Sequence, residues 1–424
     1  MLTDKTADLD RLVGYLTPNL TKQRALLSNL LHPLTSKEEI EKRRQIISSF
    51  SDSPTLLNEF VSLIKDAERA LADYETAKKH IGSNPLLRIG ELCVSALALF
   101  GATRHASELS LHEDLKKRLS EISRQTEIVS SYLLSFVDNN PPAFSIKASD
   151  DGRIKYASFD ITEYEQDYVS LQNKRKSFFI NQANKKTNNP SHVLIVPELA
   201  ESAYNNLERS LDSLVFGIGN EMRNLARELD FYAAALDYYA FLKERKIPYC
   251  FPEFGNHTRI EGLYDLLIVA TKRNAVPNRF VINGNNGALI IGPNGSGKTV
   301  LWRSVLTAVL LNQSGLPVPA KLATLPIFKG VFSQMSSSMS RDGFGTFEEE
   351  VRILSGIVES ASQDSAVFLN EIFQTTFFEE GARALTAILN DLSRRGVFCV
   401  VVTHLPINAN ELNYESVEMN KCYF

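Results

Sequence analysis

Apolar residues recur every three or four positions through the first 250 residues of the chain, where glycine is sparse. After that come short β-branched runs, glycine clusters and intervening helical patterns. The first pattern is that of helices burying one stripe, the second that of strands alternating with helices. The chain therefore reads as an all-α part followed by an α/β part. The most regular stripe lies between Pro197 and Pro248. Leu207, Leu211, Leu214, Ile218, Met222, Leu225, Leu229, Tyr232 and Leu236 are spaced 4, 3, 4, 4, 3, 4, 3, 4. This predicts one long helix, reaching ~70 Å at 1.5 Å per residue. Gly217 and Gly219 weaken it by about 1 kcal/mol each against alanine and mark a place for a kink or break. A bundle core helix is the plain reading of the stripe, and pattern alone favours it. The sharper reading is a lever carrying movement between distant sites.

Further helices are predicted at Lys22–Leu31, Ser36–Ser49, Pro54–Lys79, Pro85–Phe100 and Leu109–Phe136. Ser36 with Glu39 forms a capping box opening one of them. Between Asn139 and Pro197 the periodicity fails. There PPAF and SDDGR read as turns, KYASFDI as a strand and KKTNNPS as an exposed polar loop. No internal repeat or low-complexity tract interrupts the chain.

A length of 424 residues suggests two or three domains. Apolar residues at 44% and charged residues at 23% argue against general disorder. The formal net charge of −4 does not demand a polyanionic partner. Lys174, Arg175, Lys176, Lys185 and Lys186 nevertheless cluster in the irregular region, either as solvated cations or as groups that meet phosphates. Cys93, Cys250, Cys399 and Cys422 lie far apart with no CxxC pair, which argues against a zinc ribbon or a disulfide framework and fits a reducing compartment. The opening MLTDKTADLD has no apolar core and excludes a secretory signal in this sequence. The runs LCVSALALF and VFCVVV fall short of the ~20 residues that cross a bilayer. The expectation is a soluble, cytoplasmic protein with no membrane partner.

The chemistry concentrates after residue 280. Gly292-Pro293-Asn294-Gly295-Ser296-Gly297-Lys298-Thr299 fits GxxxxGK[ST], between an apolar strand (Ala288 to Ile291) and an apolar helix (Val300 to Leu311). Its glycines let backbone amides converge on phosphate oxygens, and the helix N-terminus adds positive partial charge. Lys298 would neutralise the β- and γ-phosphates and Thr299 would ligate Mg²⁺, so a nucleotide with Mg²⁺ is predicted. The buried-strand pattern Ser365 to Leu369 ends in Asn370-Glu371. Such a strand usually brings an acidic pair beside the phosphates. Here Asn370 can hold metal-bound water only as a neutral acceptor, and Glu371 is the candidate general base. A surface or capping glutamate is the plainer alternative for Glu371. The strand Val397 to Val402 ends in Thr403-His404, which places His404 as a hydrogen-bonding sensor of the γ-phosphate, although a lone histidine is more often structural. Gly343-Phe-Gly-Thr346-Phe-Glu-Glu-Glu-Val opens a helix. Taken locally, Thr346 and Glu349 make only a capping box there.

The order of these motifs resembles the ATPase domain of the MutS family of mismatch-repair proteins. Val276-Pro-Asn278, the P-loop, Arg303, Gln313-Ser-Gly-Leu-Pro-Val-Pro-Ala320, GTFEEEV, FLNEI and VVTHL carry the resemblance. Asn29-Leu-Leu-His-Pro-Leu34, Glu39-Ile-Glu-Lys-Arg43 and the stretch Leu207 to Pro252 resemble the family's helical core and returning lever helix. The resemblance implies an α plus α/β architecture. A helical core and lever domain would occupy residues 1–250, with a reduced clamp-like region at about 139–197. An ABC-type, MutS-like P-loop ATPase domain would occupy residues 251–424. It implies ATP and Mg²⁺ as cofactors, Lys298, Glu371 and His404 as catalytic groups, and Thr299 with Asn370 (through water) at the metal. It implies double-stranded DNA, with mismatched or branched duplexes as candidate substrates, and a homodimer or heterodimer closing through the ATPase domain. The helix at Thr346 would then reach the partner subunit's nucleotide. Such a protein would be nucleoid-associated in a bacterium and nuclear in a eukaryote.

Departures from the family pattern set further expectations. The chain leaves no room for the mismatch-reading and connector domains. FPEF (Phe251 to Phe254) sits at the wrong place for a base-stacking wedge and reads as a domain-junction strand. Gly345 stands where the family usually has serine, and Asn370 where it usually has aspartate. With twenty residues after His404, the family's last strand and C-terminal dimerisation helices are expected to be missing, in a fragment or a short member. The leading function is an ATPase that couples ATP binding and hydrolysis to DNA clamping. The alternative is a slow ATP-binding dimerisation switch without mismatch recognition. A chromosome-organising ATPase with coiled-coil arms fits less well, because LSGIV (Leu354 to Val358) is a poor match to LSGGQ.

Overall fold

The computed structural model describes residues 8–79, 85–109, 111–137, 144–148, 154–159, 197–271, 274–283, 286–335, 346–373 and 377–419. The basic cluster at 174–186, Gly345 and Cys422 lie outside these residues, as does most of the 139–197 region. Eleven helices form, in chain order: α1 (Leu9–Leu16), α2 (Leu20–Leu31), α3 (Lys37–Asp52), α4 (Pro54–Lys79), α5 (Pro85–Glu108), α6 (Glu113–Val137), α7 (Pro197–Glu244), α8 (Leu266–Thr271), α9 (Lys298–Gln313), α10 (Thr346–Ser360) and α11 (Phe378–Arg394) among the described residues. The strands are β1 (Phe144–Ala148), β2 (Ile154–Phe159), β3 (Glu253–Phe254), β4 (Thr258–Leu263), β5 (Asn278–Ile282), β6 (Gly287–Ile291), β7 (Leu322–Leu325), β8 (Gly330–Met335), β9 (Ser365–Asn370), β10 (Phe398–Val402) and β11 (Glu415–Glu418). Apart from the strands β1 and β2, the described elements before residue 250 are helices and those after it are mixed, which matches the periodicity.

The chain packs as two compact units, residues 49–229 and residues 1–48 with 230–424. The first holds α4, α5, α6 and α7 up to Leu229, with α5 lying against both α4 and α6, and the antiparallel hairpin β1–β2. KYASFDI contributes β2 as expected. β1 was not legible, because Pro141-Pro142-Ala143 masks a run of only five residues. Helix α7 runs without a break through Gly217 and Gly219. A Cβ on Gly219 would come within 2.7 Å of Leu71 Cδ2. That glycine serves close helix packing, and the burial around it outweighs its low propensity. Asp212 accepts from Tyr74 Oη (3.0 Å) and Lys78 Nζ (2.8 Å), joining α4 to α7.

The second unit is built on a five-stranded, wholly parallel sheet in the order β11-β6-β10-β9-β8. Every residue of β9 and β10 is buried, which is why both strands are continuous apolar runs rather than alternating ones. One face, with Leu289, Val367, Leu369, Cys399 and Val401, packs on Leu354 and Ile357 of α10 and on Leu385, Leu389 and Leu392 of α11. The other carries α9, whose Trp302 meets Phe368 edge-on. Strand β11 corrects one expectation. The segment Glu415–Glu418 pairs with β6 at the sheet edge, so a strand does follow His404. Its polar ESVE sequence is that of an edge strand and gave no apolar signal.

A second sheet, β3-β7-β4-β5, is mixed. FPEF contributes β3, a strand as expected, though it lies within the unit formed by residues 1–48 and 230–424. The Arg44 guanidinium lies over the rings of Phe251 and Phe254 and donates to Asn312 Oδ1 at 2.6 Å. The Q-x-G-x-x-V-P-A segment turns out to be a staple. The Gln313 side chain is fully buried at the end of α9. Its Nε2 donates to Leu34 O (2.7 Å) and Phe328 O (2.9 Å), and its Oε1 accepts from Phe328 N (3.0 Å). Gln313→Ala orphans these backbone groups and lowers the stability of this unit by about 2–4 kcal/mol. Denaturant unfolding followed by Trp302 fluorescence measures it, and an unchanged midpoint would refute the staple.

Candidate functional site

The parallel pairing aligns three strand ends on one edge of the sheet. Val402 is in register with Ile290 of β6 on one side and with Asn370 of β9 on the other. The glycine loop after Ile291, Asn370-Glu371 and Thr403-His404 therefore emerge together, at the carboxyl ends where parallel α/β sheets bind ligands. Strand β10 lies between the other two, so His404 is placed between the loop and the acidic turn.

The loop wraps tightly. Gly292, Gly295 and Gly297 have φ of 151°, 74° and 94°, conformations that side chains resist. A Cβ on Gly292 would stand 2.5 Å from Met419 O, while the space over Gly295 is open. Gly297 caps α9 without a side-chain hydrogen bond, leaving the amides of its first turn available. Lys298 is 4% exposed, and its ammonium donates to Gly292 O (3.0 Å) and Pro293 O (3.1 Å). Ser296 Oγ is buried without a hydrogen-bond partner, so a polar group inside the loop waits for an acceptor or donor. This cradle fits a polyphosphate by its amides, its glycine clearance and its cation.

Thr299 Oγ1 donates to Asn370 Oδ1 at 3.3 Å, so the two residues expected at the metal do meet. His404 Nε2 and Glu371 Oε1 lie 3.1 Å apart in a hydrogen bond the sequence did not foretell. The structure thus gathers Lys298 and the loop, Thr299 with Asn370, and Glu371 with His404. Among the described residues no cluster of three His, Cys, Asp or Glu side chains could hold a metal by itself. Burial pushes the Cys93 and Cys399 thiols up to about 12, so neither offers a thiolate at neutral pH.

Some residues escaped the sequence reading. Asp265, 4% exposed, takes a two-pronged grip from Arg303 (Nε to Oδ2 2.9 Å, Nη2 to Oδ1 3.0 Å) and caps α8 through Ile268 N at 2.8 Å. It borders a cleft beside the loop, lined also by Ile268, Val276, Asn278, Val300 and Met419. The Val276-Pro-Asn278 segment gives no sign of this wall by itself, because the other side comes from Met419, distant in sequence. Glu350 is hidden in a run of three glutamates.

The family MutS domain V matches residues 288–422. Residues 288–422 thus carry a MutS domain V. Over 170 residues the chain is 35% identical to the Endonuclease MutS2 of Thermus thermophilus, covering 39% of this chain and 22% of that protein. Over 187 residues it is 32% identical to the DNA mismatch repair protein MutS of Thermus aquaticus, covering 43% and 22%. The mitochondrial DNA mismatch repair protein MSH1 of Arabidopsis thaliana is 35% identical over 136 residues, 30% of this chain and 12% of that one. The match therefore spans about a fifth or less of these relatives. No helix among the described residues is long and apolar enough to cross a membrane.

Proposed function

We propose that this chain is a MutS-family ATPase that couples ATP binding and hydrolysis to clamping of double-stranded DNA. The observation that carries the proposal is the convergence of the loop cradle, Thr299–Asn370 and Glu371–His404 on one sheet edge. Lys298 and the amides at the start of α9 bind the triphosphate. The nucleobase would lay one aromatic face against the apolar wall of Val276, Ile268 and Met419 beside the loop. Thr299, with Asn370 through water, would hold Mg²⁺, which supplies charge neutralisation between the β- and γ-phosphates. Glu371 accepts a proton from the attacking water, and His404 orients Glu371 and senses the γ-phosphate.

Residues 1–250 act in this scheme as helical core and lever, with a clamp-like region at about 139–197, and residues 251–424 as the ATPase domain. Two chains, or one chain and a related partner, close through that domain, with the start of α10 facing the partner's nucleotide. The setting is DNA maintenance, in a nucleoid or nucleus. Native mass measurement with and without ATP and DNA tests this: ATP brings two chains together and DNA joins the complex. A chain that stays monomeric with ATP under all conditions would sink the dimer.

One observation favours a slow dimerisation switch instead. Asn370 is neutral where Thr299 meets it, and a neutral acceptor holds metal-bound water less strongly than a carboxylate does. Asn370→Asp accordingly raises turnover about 3- to 10-fold and tightens Mg²⁺ dependence. Steady-state hydrolysis against Mg²⁺ concentration reads this out; unchanged values would remove the metal from the account of Asn370. Titrating matched and mismatched duplexes against salt separates the two readings, because a DNA clamp loses affinity steeply with salt and the switch has none to lose.

A further inference from the structure

The turn that leaves β9 is held in a conformation that residues with side chains seldom adopt. Glu371 has φ 56° and Phe373 φ 63°. Left-handed backbone costs each about 1–2 kcal/mol, so the surroundings must hold it, and such strain concentrates at working sites. Two hydrogen bonds from backbone amides hold it. Glu371 N donates to Val402 O at 2.8 Å, and Phe373 N donates to Oε2 of Glu350 at 3.0 Å.

Glu350 lies on α10 and is only 3% exposed. It stands at the head of the buried stripe Glu350, Leu354, Ile357, Ala361, where packing alone would select an apolar residue. Burying a carboxylate there costs several kcal/mol unless donors meet it. The same turn of α10 is tied to the sheet, since Gln334 Nε2 at the end of β8 donates to the backbone O of Glu350 at 3.2 Å. Met335, the next residue, is in register with Asn370.

We propose that Glu350 is a positioning residue for Glu371. Its carboxylate holds the 371–373 turn in the strained conformation that presents Glu371 to His404. The same bond ties that turn to α10, so a shift of α10 shifts Glu371. This rests on the reading of Glu371 as the group that activates water.

Two near-isosteric variants of the full chain separate positioning from mere packing. Glu350→Asp keeps the charge but is one methylene too short to reach Phe373 N. Glu350→Gln keeps the length and an oxygen that accepts the same bond. Amide hydrogen exchange at 371–373 and steady-state ATP hydrolysis are measured for both, with exchange in α11 as the check of folding. In Glu350→Asp the turn exchanges at least about tenfold faster. Its kcat falls about 10- to 100-fold, while KM and ATP affinity stay within about twofold. Glu350→Gln stays within about threefold of the unmodified chain in all of them. Wild-type exchange and kcat in Glu350→Asp would overturn the proposal. So would a Glu350→Gln as impaired as Glu350→Asp, or a loss confined to KM. Should the unmodified chain hydrolyse no ATP, the ATPase reading falls instead. The exchange rates still decide whether Glu350 holds the turn.

Discussion

Lys298→Ala weakens ATP binding at least about a hundredfold, which is the loss of one or two charge-assisted hydrogen bonds to phosphate. The side chain is buried and its ammonium already rests on Gly292 O and Pro293 O. It therefore sits within the loop rather than in solvent, and little ordering is needed before it meets a ligand. Because removal of the ammonium also frees two carbonyls, Lys298→Met is made alongside to restore the aliphatic volume. Both variants should lose affinity alike in a titration calorimeter while retaining the unfolding midpoint to within a few degrees. Undiminished affinity in either one would mean that the glycine loop is not the phosphate site.

Glu371→Gln separates binding from chemistry. Removing a general base costs about 10²–10⁴ in rate, so turnover should fall by that factor while ATP affinity changes by no more than about twofold. Glutamine keeps the shape and the backbone requirement at φ 56° and can still hydrogen-bond with His404. The variant should accordingly accumulate in the ATP-loaded, paired state, visible as a dimer that persists after ATP is added once. Single-turnover hydrolysis at near wild-type rate would show that another group takes the proton.

Much of the site could be read from residues alone because its parts are local. Gly292 to Thr299 carries its own turn geometry and its own helix start, and the strands ending at Asn370 and Val402 announce themselves as buried runs. Most helices from α2 to α7 were legible for the same reason, since they bury a stripe that repeats within their own length, whereas α5 is buried on every face over residues 92–97. Features that depend on what lies opposite were not. Gly219 suggested a break in α7 until Leu71 supplied its reason. The strand β11 has no apolar signature, because only its backbone pairs with β6. Capping at Ser36 was legible in part. Its Oγ accepts from Glu39 N at 3.4 Å, as the capping box requires, and its hydroxyl also donates to Glu38 Oε2, a bond the spacing did not announce.

Composition and periodicity sufficed for the type of most elements, for the glycine loop and for the identity of the polar residues at the strand ends, since covalent neighbours impose all three. The strand order that sets β10 between β6 and β9, and with it the pairing of His404 with Glu371, came from packing. So did the roles of Gln313 as a staple and Glu350 as the anchor of a strained turn. Each of those depends on a backbone group brought close by the fold from elsewhere in the chain, and a hydrogen bond between distant segments leaves no periodic trace in either of them.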